Sequence, residues 1–317
     1  MIQKISTKDM SRDEWLEIRR KSIGGSDTGA LLGLNKYSSP YSLWAEKTGK
    51  IVPEDISDKE AVRLGTDLEN YVAKRFEEAT GKKLRRENNI LYNTDYPFAH
   101  AKPDRLVVGE RAGFEAKTTS SWEILQQCRE GKFPDTWYSQ VTHYLMVTGY
   151  ERWYLGVLCF GHGFFHFTIE RDEAEIAALA SAESNFWYGV CNDIPPAMDG
   201  SEATTEALRT IYAESHSGKE ADLTAVGFHL QAYASLNRQI AELTEQRDAH
   251  QAEVMNFMQD AEKGKYGAYS VSWKTQQRKT FDRKAYEQDH GPIGDQYYRV
   301  STSRPFKVTV KGKKEDI

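Results

Sequence analysis

At 317 residues, with 7 Trp, 17 Tyr and 13 Phe, the chain can build one large domain or two smaller ones around a sizeable core. A formal net charge of −5 excludes a protein that coats nucleic acid with a general basic surface, though not one with a local basic channel. Cys128, Cys159 and Cys191 are scattered, odd in number and lack CxxC spacing, which argues against a disulfide framework or a zinc site. No apolar run has the length of a bilayer span, and Met1 to Met10 has no apolar signal-peptide core, so the expected setting is a soluble, reducing compartment, the cytoplasm.

Ser11 to Arg20 predicts a helix, with Ser11 as N-cap and Glu14 as its capping-box partner. Gly24-Gly25-Ser26-Asp27 then reads as a turn into a helix over Thr28 to Leu32, with free backbone N–H groups suited to a phosphate. In the blander reading Ser26 or Asp27 simply caps that helix, and Arg19 is a solvated helix residue. A further helix starts at Pro40, with Trp44 in the core. Ser57 to Gly81 predicts a long helix whose apolar face is Val62, Leu68, Val72 and Phe76. Glu69 lies on that face, and a carboxylate directed inward needs a metal, a lysine or a network. The alternative is a rim glutamate in a salt bridge.

Ile90 to Tyr92 reads as a short strand. From Phe98 to Lys117 the chain reads as a hairpin: Pro103-Asp104, the apolar run Leu106 to Val108, a turn over Gly109 to Ala112, and a strand from Gly113. Strand alternation sends Phe114 and Ala116 one way and Glu115 and Lys117 the other. Asp104, Glu115 and Lys117 would then meet: two carboxylates for a hard divalent cation and an ammonium for a water. His100, just upstream, is expected to pack or hydrogen-bond. Helices follow over Ser120 to Arg129 and Asp135 to Gly149, and on the second Gln140 and Tyr144 share one side.

Arg152 to Phe160 and Phe164 to Ile169 predict strands joined at Gly161-His162-Gly163, and Asp172 to Val190 an amphipathic helix. The expected organisation is a catalytic domain over 1–197, a polar linker over 198–223, and a C-terminal extension over 224–317. The extension combines a long helix over Thr224 to Glu262 with a coiled-coil stripe (Tyr233, Leu236, Ile240, Leu243, Val254), a strand around Tyr269 to Trp273, a basic run, and a last strand at Phe306, Val308 and Val310. It would serve assembly, DNA or partner binding, or be a solvated appendage.

Pro103-Asp104, a hairpin, then Glu115-Ala116-Lys117 resembles the PD-(D/E)XK nuclease signature. With its surroundings, from Trp15 to about Pro196, the chain resembles the YqaJ-type viral recombinase family, relatives of the lambda exonuclease. That resemblance implies an α/β, restriction-endonuclease-like core, a central mixed sheet flanked by helices. It implies a phage- or prophage-encoded, Mg²⁺-dependent exodeoxyribonuclease, Mn²⁺ substituting, that digests one strand of duplex DNA from a 5′ end and leaves a 3′ overhang for a single-strand annealing protein. Asp104, Glu115 and the Ala116 carbonyl would hold the metal, and Glu69, in its Gly65-x-x-x-Glu69 context, would complete the acidic set. Lys117 would orient or help deprotonate the attacking water. Gln140 and Tyr144 would face the scissile phosphate, and Arg19 and Ser26 would grip the 5′-phosphate. A ring-shaped homo-oligomer around DNA is implied. The rivals are an endonuclease on the same core and a DNA-binding module without catalysis.

Overall fold

The structure, a computed structural model, describes residues 1–299, 301 and 303–309. The chain forms two compact units, Met1–Tyr212 and Ala213–Ile317. In the first, the elements are β1 (Ile2–Ser6), α1 (Arg12–Arg20), β2 (Ile23–Gly24), α2 (Thr28–Leu31), α3 (Pro40–Lys47), α4 (Glu60–Thr80), β3 (Leu84–Arg86), β4 (Asn89–Asn93) and β5 (Ala99–Ala101). They continue with β6 (Arg105–Val107), β7 (Ala112–Thr119), α5 (Trp122–Arg129), α6 (Asp135–Thr148), β8 (Arg152–Cys159), β9 (Gly163–Glu170), α7 (Glu173–Cys191) and α8 (Glu202–Ile211).

A five-stranded mixed sheet runs in the order β3-β6-β7-β8-β9. Its β6–β7 hairpin is antiparallel, while β7 and β8 are parallel because α5 and α6 carry the chain back between them. Alternation along β8 feeds both faces. Trp153, Leu155 and Val157 enter one core with Val141, Leu145 and Met146 of α6, while Tyr154 joins Val72 and Phe76 of α4 and Phe114 of β7 in the other. Gly113 is required where Trp153 crosses β7, since a Cβ there would lie 2.3 Å from the indole. A four-stranded sheet, β1-β4-β5-β2, packs Leu91, Ala99 and Ala101 into the first core.

The Ser11–Glu14 capping box is present on α1, and α4 and α6 end on Gly81 and Gly149 in the left-handed region. Trp44 is buried. The apolar face of α4 is shorter than expected: Val72 and Phe76 are buried, but Val62 is exposed, because the first half of the helix borders an open cleft beside β7. The segment expected as a linker is also revised. Within it, α8 packs Ala207, Leu208 and Ile211 against Tyr41, Trp44 and Ala45 of α3, and Thr204 Oγ1 donates to Ser39 Oγ at 2.7 Å. Its polar composition hid a single apolar stripe, and the boundary falls after Tyr212.

The second unit contains α9 (Gly227–Met258), an antiparallel hairpin of β10 (Lys263–Tyr266) and β11 (Tyr269–Ser272), and α10 (Arg283–His290), which starts on an Asp282 cap. The stripe residues Tyr233, Leu236, Ile240, Leu243 and Val254 of α9 are exposed. Phe306 and Val308 are not in a strand among the described residues, and Val310 lies outside them. Among the described residues, no helix is long and apolar enough to cross a membrane.

Candidate active site

Strand β7 splits its side chains as pleating requires. Phe114 is in the α4 core, and Glu115 and Lys117 emerge together on the face covered by α6. Lys117 Nζ donates to Glu115 Oε1 and to Gln140 Oε1, both at 2.8 Å. Gln140 Nε2 donates to Glu115 Oε1 at 2.7 Å and to the Tyr144 hydroxyl at 2.9 Å. One helical turn of α6 thus braces both polar side chains of the strand. The second carboxylate oxygen of Glu115, Oε2, is buried without a hydrogen-bond partner.

Asp104, at the entry to β6, is fixed from β7: the Ala116 N–H donates to its Oδ2 at 2.8 Å. Burial, and then the charge of nearby Glu115, push the Asp104 carboxyl well above the usual carboxylate range. Two neighbouring carboxylates, Glu115 with an orphaned buried oxygen, are a donor set that fits a hard divalent cation. Tyr144 is buried; burial and the charges of Glu115 and Asp104 hold its phenol well above the usual range, so it stays protonated, and it reaches the Lys102 carbonyl at 3.4 Å.

Glu69 lines the same cleft but turns to Arg105, with which it forms an ion pair. The Arg105 guanidinium, almost wholly buried, also donates to the Asp104 carbonyl at 2.6 Å and to Asn70 Oδ1 at 2.7 Å. Among the described residues, no three His, Cys, Asp or Glu side chains are gathered so as to hold a metal ion. The acidic set therefore consists of the Asp104–Glu115 pair, with Glu69 held beside it. The cleft, about 310 Å³, is lined by Gly65, Thr66, Glu69, Asp104, Glu115 and Lys117, together with Ala116.

Arg19 and Ser26 meet at the surface, with Arg19 Nη2 3.3 Å from Ser26 Oγ. Beneath them is a buried ion pair. Asp27 Oδ1 accepts from Arg19 at 3.1 Å, and its Oδ2 accepts from Lys47 Nζ at 2.6 Å and from the Gly24 N–H at 3.0 Å. Burial alone would raise the Asp27 carboxyl, but Lys47 and Arg19 beside it hold it far below the usual range. Lys47 Nζ also donates to the Arg19 and Ser22 carbonyls, so it stitches α3 to the end of α1. Gly25 abuts α6 so closely that a Cβ would stand 2.6 Å from the Tyr144 ring, which joins the Arg19–Ser26 pair to the Gln140–Tyr144 turn.

His100 bonds Ser22 Oγ through Nδ1 at 2.8 Å, and its burial lowers it to about 3, so it is a neutral packing residue. His143 Nε2 donates to the His100 carbonyl at 2.8 Å, and His143 Nδ1 is 2.7 Å from Glu183 of α7; both side chains are fully buried.

The sequence-derived residues thus converge around one cleft and its border: Glu69, Asp104, Glu115, Ala116, Lys117, Gln140 and Tyr144, with Arg19 and Ser26 joined to it through Gly25. The sequence reading missed Arg105, Asn70, Lys47 and the His143–Glu183 pair. Arg105 directly follows Asp104, and its place in a short apolar strand was the one available signal.

The model of the YqaJ-like viral recombinase domain matches residues 14–151. The Bacillus subtilis (strain 168) protein described as "Uncharacterized protein YqaJ" is 41% identical over 303 residues, covering 94% of this chain and 93% of the relative. The alkaline exonuclease LHK-Exo from Laribacter hongkongensis overlaps the structure at a TM-score of 0.48, 21% identity, covering 57% of this chain and 94% of that one. A phage-related exonuclease from Haemophilus somnus 129PT overlaps at a TM-score of 0.41, 11% identity, covering 57% and 99%. The identity held along nearly the whole of both chains, together with the domain match across the cleft, places this protein in the YqaJ-like viral recombinase family.

Proposed function

We propose that the chain is a metal-dependent deoxyribonuclease with a PD-(D/E)XK core. It would degrade one strand of duplex DNA from a 5′ end and leave a 3′ overhang for a single-strand annealing protein. The observation that carries this reading is the meeting of Asp104, Glu115 and Lys117 in one cleft, with Gln140 bonded to both Glu115 and Lys117.

Mg²⁺, with Mn²⁺ able to replace it, would be held by Asp104, Glu115 and the Ala116 carbonyl, and when bound would polarise a phosphodiester and acidify a water. Glu69 would act at the border of that site, with Arg105 setting its position. Lys117, whose ammonium projects into the cleft from beside Glu115, orients the attacking water and offsets negative charge gathering at phosphorus. Gln140 keeps Lys117 and Glu115 in register. Tyr144, buried and held protonated, is no base.

Arg19 and Ser26 present a guanidinium and a hydroxyl at the border of the cleft, chemistry suited to a terminal phosphate. That feature favours an exonuclease over an endonuclease on the same core, and the intact Asp104–Glu115–Lys117 set disfavours a binding module without catalysis. A viral recombinase would use such an enzyme with an annealing partner, and a ring-shaped homo-oligomer in the host cytoplasm would give processivity.

The test uses three substrates in Mg²⁺: linear duplex with 5′-phosphate ends, the same duplex with 5′-hydroxyl ends, and a closed circle. Fast loss of the phosphorylated duplex from its 5′ ends, slower loss of the hydroxyl form and an intact circle are expected. Nicking of the circle at a comparable rate would favour the endonuclease, and no cleavage of any substrate would leave the binding module.

A further inference from the structure

Beyond Asp104 the catalytic cleft opens into a second cleft of about 250 Å³. The two share Thr66, Glu69 and Asp104, so they form one continuous trough along the side of α4. The far part of the trough carries Arg86, at the end of β3, and Lys102, just before Pro103, both exposed. The acids around them are already matched. Glu69 pairs with Arg105, and Glu87 pairs with Lys4 at 3.5 Å and Arg85 at 3.6 Å. Arg86 and Lys102 form no ion pair with any described residue.

Arg86 is also aimed. Asn70 Oδ1 accepts from Arg86 Nη2 and from Arg105 Nη2, both at 2.7 Å, so the amide that anchors the buried Arg105 also steadies the exposed guanidinium. Gln140, Tyr144 and Gly25 lead from Glu115 to Ser26 and Arg19, and Lys102 touches this side too, its carbonyl 3.4 Å from the Tyr144 hydroxyl and its ammonium 5.7 Å from the Trp15 ring of α1. Asp104 therefore borders both the trough that carries Arg86 and Lys102 and the turn that leads to Ser26 and Arg19.

We propose that Arg86 and Lys102 form a phosphate track for the strand being digested, taking the phosphodiesters on the 3′ side of the scissile bond. The strand then crosses the cleft with its 5′ end towards Arg19 and Ser26 and its continuation over Arg86. The partner is a nucleic-acid backbone and not a free anion, because the two cations lie along an open trough continuous with the reacting site instead of closing around one ion. This rests on the nuclease reading and adds polarity and a subsite to it.

The experiment compares Arg86→Ala and Lys102→Ala with wild type on a long 5′-phosphorylated duplex and on a 5′-phosphorylated dinucleotide, which has no phosphate beyond the scissile one. The ratio of kcat/KM for the duplex to that for the dinucleotide should fall about tenfold in each variant, mostly through KM. Duplex binding in Ca²⁺ should lose about one unit of salt slope per removed cation. A ratio and a salt slope that both stay at the wild-type values would overturn the track while leaving the nuclease intact. Equal losses on both substrates would also overturn it, since they indicate a disturbed fold. Should the dinucleotide be too short to turn over, the salt slope decides alone. A wild-type protein inert on every DNA would remove the nuclease reading and the track with it.

Discussion

The side-chain amide of Gln140 lies 2.7 Å from Glu115 Oε1, although 25 residues separate them, and its carbonyl oxygen takes a hydrogen bond from Lys117. One residue of α6 thus sets the spacing of two groups on β7. Replacing it with leucine leaves a slightly shorter apolar side chain and strips a partner from each. Orphaning such groups costs about 1–3 kcal/mol, so Gln140→Leu should lower kcat about 10- to 100-fold. Steady-state kinetics beside an unchanged circular dichroism spectrum would check this, and wild-type kcat would dismiss the brace.

Lys117→Ala should reduce turnover about 10²- to 10³-fold, the usual loss when a donor aimed at developing charge is removed. DNA binding, measured by fluorescence anisotropy in Ca²⁺, should remain near wild type. Activity comparable to wild type in this variant would take Lys117 out of the mechanism.

Asp27→Asn should be more damaging to the fold than its surface neighbours suggest. Lys47 and Asp27 are both nearly inaccessible, and neutralising one leaves a buried cation uncompensated. Such a change costs about 3–5 kcal/mol. The double variant Asp27→Asn, Lys47→Met should recover part of that loss. Urea unfolding midpoints test both, and a double variant weaker than the single one would contradict the ion-pair account.

His100 makes stability depend on acid. Its folded value is lowered to about 3 from an ordinary 6.5. Between those values the unfolded chain binds a proton that the folded chain refuses, so stability falls as pH drops below about 6.5, by up to ~1.4 kcal/mol per pH unit. His143 has the opposite sign. Burial would lower it, but Glu183 raises it on balance, so its stabilisation is complete below 6.5 and is lost as pH rises through its folded value. Melting temperature should therefore peak near neutrality. In His100→Asn the acid limb above about pH 5, before most carboxylates titrate, should flatten; an unchanged limb would assign it to other groups.

Chain truncation separates the two units. A protein ending at Tyr212 retains α8 and should melt like the full chain's first unit. One ending at Pro196 loses the partial burial of Leu208 and Ile211 against α3, less than the about 1.5–3 kcal/mol that full burial of each would contribute, and should unfold at lower urea. Equal midpoints would mean that α8 contributes no stability.

Much of the site was legible because its geometry is local. Pleating alone placed Glu115 and Lys117 together, and a four-residue helical spacing placed Gln140 beside Tyr144. The hairpin turn at Gly109, with φ of 82°, could be read in the same way. The α8 stripe was not legible: ten residues with three threonines and three charged side chains resemble a polar connector until α3 supplies the surface they cover. Glu69 was visible as a carboxylate on an apolar face, but its partner was not, since Arg105 comes 36 positions later.

By itself, the sequence determined the hairpin, the helix caps, the two-faced β7 and the residue types gathered on it, since all of these follow from periodicity within a few residues. Tertiary structure decided which acids stand free and which are held by arginine, that Lys47 lies beneath Arg19, and that the cleft at Asp104 continues to Arg86. These depend on pairings across tens of residues, where packing and charge neutralisation, and not backbone repeat, choose the partner.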